Sequence, residues 1–219
     1  MMDLHALSME MIDELYKELE QSQFMDGGIR LELVYQCCDL SIEHGIAVKT
    51  LLEQNLVTSA MALFRIQFES VVRAYWLLMV ASNQDVLKLQ LSSIDDLFKN
   101  HKIPMVSAMI DALSQVKEIT NIVENFKQFK FYSMNHLNNI VHSGAHSMIR
   151  RKAGLTVKQH EILVKQTNNF TTMAAQILLR HAAKEKYIHY LHDKYRVCFH
   201  MQEDVSSEEK MRIDAMYKK

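Results

Sequence analysis

Phe64-Arg-Ile-Gln-Phe-Glu-Ser-Val-Val-Arg-Ala-Tyr-Trp76 decides the fold class. Phe64, Phe68, Val71, Val72 and Tyr75 recur at intervals of three and four residues. That spacing puts them on one face of an α-helix, whereas a strand would scatter them over both of its faces. Arg65, Glu69 and Arg73 keep a four-residue spacing of their own beside the apolar face. The pattern extends outward to predict a helix over 57–82, the most hydrophobic of the chain, with Met61 and Met79 on its buried side and Asn83 at its end.

The same period governs the rest of the chain. Leu4, Leu7, Met11, Leu15 and Leu19 predict a first helix over 4–21, and Asp26-Gly27-Gly28 closes it by turn chemistry. A second helix runs over 29–54, with Gly45 as its weak point. Between 85 and 125 the pattern breaks into short helices, one capped by Ser92 or Ser93 ahead of Ile94 and the next opened by Pro104. A fourth long helix is expected over 126–151, ending near Gly154. Thr156 caps a fifth, which runs to His181 and extends with a kink toward Phe199. No alternating run is long enough for a strand. The expectation is an all-α helical bundle of about five long helices plus short connecting ones. A single domain covers 1–201, with residues 1–26 as a peripheral N-terminal helix and 202–219 as a tail or short helix.

Composition narrows the function classes. The 219 residues suit one domain with a real core, and five Gly and one Pro leave few chain breaks. Twenty-five basic against 26 acidic residues give a net charge of −1, so an RNA-binding surface has to be local. Three cysteines, with Cys37 and Cys38 adjacent, form neither a disulfide framework nor a zinc pattern, and a reducing compartment fits. The N-terminal residues lack a signal-peptide pattern, and the longest apolar run, around Val71 to Ala81, is too short to span a bilayer. A cytoplasmic location without membrane partners is expected.

A second stretch, Tyr132 to Arg150, supplies polar residues at helical spacing: Asn138, His142, His146 and Arg150 fall four apart. On packed helices this stripe and the Arg65–Glu69–Arg73 stripe would meet at the rim of a groove. Arg65 or Arg73 is expected to approach Glu69 and His142. Three uses stay open. A His with an Arg can do acid–base work on a phosphodiester. His142 and His146 with Glu69 could ligate a metal, although His-x-x-x-His without the Glu of the zinc-protease pattern is a weak motif. A network of Arg65, Glu69 and His142 could instead fix helix register. Gly144, placed inside a helix by this reading, costs about 1 kcal/mol against Ala and argues for a close approach. Arg150-Arg151-Lys152 complements a helix C-terminus or meets phosphate.

At these residues the sequence resembles the HEPN-like superfamily of helical bundles. The resemblance is to bacterial members that pair an Arg-x-x-x-Glu helix (Arg65, Glu69, Arg73) with an Asn-x-x-x-His-x-Gly helix (Asn138, His142, Gly144), and it spans roughly 31–181. It implies a bundle that often dimerises, with a polar groove at or near the dimer interface. Active members are metal-independent endoribonucleases in which an Arg and a His promote attack by the RNA 2′-hydroxyl, leaving a cyclic phosphate. Many act as toxins or in antiphage defence. Catalytic members place Arg ahead of His on one helix with four to six residues between. Here Asn135, His136 and Leu137 occupy those positions before His142, and members without the motif are often non-catalytic modules.

The resulting assignment makes His142 the acid/base, Arg65 and Arg73 the phosphate clamp, and Glu69 and Asn138 the orienting groups. His146, Arg150, Arg151 and Trp76 contact the substrate, and no metal or cofactor is assigned. Partners are a second copy of the chain, RNA, and an antitoxin or other defence protein. The rival is a non-catalytic interaction module in which Arg65, Glu69 and His142 form a structural network.

Overall fold

Residues with helical apolar spacing fold as helices throughout. The computed structural model describes residues 3–90 and 103–199 and is an all-α bundle. Five long helices carry it among the described residues: α1 (Leu4–Glu20), α2 (Gly28–Glu53), α3 (Val57–Met79), α6 (Thr120–Val141) and α8 (Val157–His181). Short helices connect them: α4 (Asn83–Leu89), α5 (Val106–Leu113), α7 (Ala145–Ala153) and α9 (Lys186–Lys194). The helix expected from Ile94 and the tail over 202–219 lie outside the described residues.

α2 and α3 form an antiparallel hairpin around Asn55, whose φ of 55° turns the chain. Their far ends are stapled by Arg30. Its Nη1 donates to the carbonyls of Leu77 (2.6 Å) and Ala81 (2.8 Å), and its Nη2 to Asn83 Oδ1 (2.9 Å). A cation on the last carbonyls of α3 satisfies groups that a helix end leaves open. Asn83 therefore begins α4, not the end of α3, which stops at Met79. α8 packs on both helices of the hairpin, α1 packs on α8, and α5, α6 and α7 lie against α3.

Phe64 and Phe68 of α3 meet Phe126 and Phe129 of α6 and Phe170 of α8, with ring centroids 4.3–5.8 Å apart. Burying one such ring contributes about 2–3 kcal/mol, and each tilted or edge-on pair adds roughly 1 kcal/mol. α1 joins the same core through Met11, Ile12 and Leu15, all buried.

Gly45 is no weak point. A Cβ there would stand 2.6 Å from both Gln67 Nε2 and Thr171 Oγ1. Its bare backbone leaves room for the Gln67 amide, which donates to the Thr167 carbonyl (3.0 Å) and Thr171 Oγ1 (3.2 Å) where α2, α3 and α8 cross. Ser41 Oγ donates to the Gln67 carbonyl at 3.3 Å in the same layer.

Candidate functional site

The expected fourth helix is two helices. α6 starts earlier than predicted, at Thr120, and stops at Val141. His142 is its C-cap, Ser143 turns through a φ of 53°, and Gly144 (φ −74°, ψ −176°) is the N-cap of α7. Asn138, His142, His146 and Arg150 therefore do not share one stripe. The physical reason lies one residue from the stripe. The Asn139 carbonyl accepts from Gly144 N (2.7 Å), and its side-chain Oδ1 accepts from His146 N (2.8 Å). One asparagine thus ends α6 and caps α7, a competition with helix continuation that Asn side chains favour. A Cβ at position 144 would lie 2.5 Å from Asn139 Oδ1, so glycine clears the way for that cap. Its role is the corner, not the interior of a helix.

The corner also undoes the expected convergence. Arg65 Nη2 pairs with Glu69 Oε1 at 2.8 Å on α3, as the four-residue spacing allows. No hydrogen bond or ion pair joins His142 to Arg65, Arg73 or Glu69 among the described residues, and His142 itself is exposed. Arg73 Nε and Asn138 Oδ1 are buried atoms without hydrogen-bond partners there. Trp76 is 4% exposed and belongs to the core, so it cannot stack on a substrate.

The break instead brings His136 and His146 together. Their Nδ1 atoms lie 2.9 Å apart, with ring centroids 4.8 Å apart and the planes tilted by 35°. At that distance one ring donates and the other accepts, so the two nitrogens share one proton. Burial lowers the pKa of His136, and His146 and Arg150 lower it further. Arg150 Nη1 donates to the Gly154 carbonyl (3.2 Å) and to Gln159 Oε1 (3.1 Å), which fixes its guanidinium at the α7–α8 turn. Thr156 caps α8 as expected, and it forms a reciprocal box with Gln159.

On the other flank of α7, an open groove of about 450 Å³ runs between α3, α6 and α7. Ala62, Ile66, Ile140 and Met148 are among its apolar lining, and Ser143, Ser147 and Arg151 among its polar lining. Met148, Ile149, Arg151 and Lys152 are exposed on the same short helix.

Three-to-four-residue spacing could not reveal the His136–His146 pair, which spans ten residues and a corner. A plainer signal was in the chain: residues 125–160 contain Lys127, Lys130, Arg150, Arg151, Lys152 and Lys158 and no Asp or Glu. In a chain of net charge −1, that stretch is locally cationic in sequence, with Lys127 paired to Glu124 at 3.0 Å just outside it.

No group of three or more His, Cys, Asp or Glu among the described residues is placed to hold a metal ion, and no helix there is long and apolar enough to cross a membrane. No curated protein and no solved structure matches the chain. A family model matches residues 38–201, from the middle of α2 past the α6–α7 corner and through α9. By that match over most of its length, the chain belongs to a family of unknown function, DUF6988.

Proposed function

We propose that this protein acts on RNA, as a HEPN-like helical bundle whose contact surface is the α6–α7 corner. The observation that carries the reading is the His136–His146 pair beside Arg150, set in a stretch without a single acid. Two imidazoles that share one proton offer a donor and an acceptor at once. A guanidinium beside them can neutralise a phosphodiester as charge builds on it. In that chemistry the exposed His146 ring, held by its Nδ1 contact with the partly buried His136, accepts the proton of the 2′-hydroxyl while the exposed His142 donates to the leaving 5′-oxygen, leaving a cyclic phosphate without a metal. His142 stands on the exposed turn between them, where it reaches substrate independently of Arg65. A cytoplasmic homodimer working as a toxin or in antiphage defence is the setting this activity fits.

A second reading rests on a different observation. Arg65 and Glu69 are paired with each other at 2.8 Å and only 17% and 23% exposed, so neither is free for a substrate. That favours a non-catalytic interaction module.

Labelled single-stranded RNA, incubated with the purified chain in chelator, separates the two. Cleavage to cyclic-phosphate ends, lost in His136→Ala and His146→Ala, supports the enzyme. Binding without cleavage, weakened by Arg151→Glu, retains RNA and removes catalysis. If RNA is neither bound at low salt nor cut, the RNA reading is wrong and the module stands.

A further inference from the structure

Lys49 lies at the centre of the bundle with 0% of its surface exposed. Its Nζ donates to Asn168 Oδ1 at 3.0 Å, and among the described residues no carboxylate touches it. An ammonium has three donors, and an unpaired buried charge is expensive. Burial accordingly pushes the pKa of Lys49 down to about 7, against a small upward pull from Cys198.

The amide that receives Lys49 also holds two other parts of the chain. Asn168 Nδ2 donates to Ser8 Oγ of α1 (2.8 Å) and to the Cys198 carbonyl (3.0 Å) in the 3-10 turn Arg196–Cys198. Four elements thus meet on one buried side chain of α8: α1, α2, α8 itself and the C-terminal turn. Around them stand Asp3, His5 and Glu10 at and on α1, Glu53 from α2, His160 and Lys165 from α8, and Cys198 from the turn. Glu53 is engaged with His5, 2.8 Å from its Nε2 in a contact without hydrogen-bond alignment. Burial lowers the pKa of His5 and raises that of Cys198. None of these groups supplies a counter-charge bonded to the amine.

We propose that Lys49 and Asn168 form a proton-operated latch: with the amine neutral, they dock α1 and the C-terminal turn on the α2–α8 core, and a proton on Lys49 drives those two segments off together. The geometry makes α1 and the turn the yielding parts. They are held to each other by Tyr195, whose hydroxyl donates to Glu14 Oε2 (2.6 Å) with Glu10 Oε1 3.1 Å away, so they can leave as a pair. α2, α3 and α8 keep their own layer around Gln67.

The sign of the pH effect follows from linkage. The closed state holds the amine near 7 and the open state near its ordinary 10.5, so opening takes up a proton. Opening becomes about tenfold easier for each pH unit lost between those values and levels off below 7. Cys198, raised above its ordinary 9, works the other way only at higher pH, which leaves a clean window from about 7 to 9.

Native-state amide hydrogen exchange on the full chain at about pH 8.5 and about pH 7 tests this, after correction for intrinsic rates. Protection in α1 and residues 195–199 should fall roughly fifteenfold over that interval, while α3 amides change far less. Lys49→Met should abolish the difference, and Asn168→Asp should shrink it by giving the ammonium a partner. Equal change at every amide would overturn the latch in favour of global unfolding, and so would α1 protection independent of pH in the natural chain. The comparison between elements of that chain decides the matter even if a variant fails to fold.

Discussion

The Lys49–Asn168 centre and the α6–α7 corner are built from the same materials, a cation, an amide and small polar groups, yet they stand in opposite relation to solvent. At the centre every bond is sealed: Asn168 uses both ends of its amide, and Lys49 has no exposed surface. At the corner His142, His146 and Arg151 are exposed, and Asn139 holds α7 by a single capping bond. Burial multiplies the consequence of losing a partner, because a stranded polar group cannot turn to water. Substitutions at the centre should therefore appear as lost stability. Those at the corner should appear in ligand binding, with little change in folding.

The comparison is broken most easily at Asn168. Asn168→Ala removes three hydrogen bonds at once and strands the Lys49 amine and the Cys198 carbonyl, while Ser8 keeps its bond to the Leu4 carbonyl. We expect a loss of roughly 3 kcal/mol, or about 10 °C in Tm, by thermal and urea unfolding. A loss below about 0.5 kcal/mol would show that the centre is not the sealed network described. Gly45→Ala comes next. Its new methyl must displace Gln67 Nε2 or Thr171 Oγ1, which are bonded to each other, and about 2 kcal/mol should go with them. Unchanged stability there would mean the layer repacks freely.

How far either region was legible depended on period. Phe64, Phe68 and Tyr75 announced the buried face of α3 because a packed helix repeats its apolar residues on one side. Thr156 announced the start of α8 because capping is a local matter, and the fold adds Gln159 as the other half of the box. The corner was illegible for the opposite reason: helical spacing ran straight through Asn139, and only the fold shows that its side chain leaves the α6 pattern to cap α7. Lys49 and Asn168 are 119 residues apart, and a lysine in the middle of a helix pattern reads as a surface residue until its surroundings are known. The Arg65–Glu69 pair was visible in its spacing, but its isolation from His142 was not.

At the corner the largest expected effect on structure is local. Asn139→Ala removes the cap of α7 and should cost about 1 kcal/mol, read as raised hydrogen exchange confined to α7. Acid should act in the same place. Because the folded state lowers the pKa of His136, it resists a proton that the open state accepts, so the corner weakens as pH falls through about 6.5. Replacing His136 with Asn should remove that dependence.

The smallest effect on stability is expected at Arg151, and it sharpens the comparison most. Its side chain is exposed and lines the groove, so Arg151→Glu should change stability by less than about 0.5 kcal/mol. If the acid-free stretch is the surface that meets phosphate, the same change should weaken RNA binding uniformly across sequences and reduce its salt dependence by about one released ion. Arg65→Glu is the matched control. It breaks an ion pair on α3, outside the acid-free stretch of sequence, and should leave the salt slope where it was. Equal effects from the two would deny the corner any special standing. A loss confined to Arg151 would place the contact on α7, where the break after Val141 turns the basic residues outward.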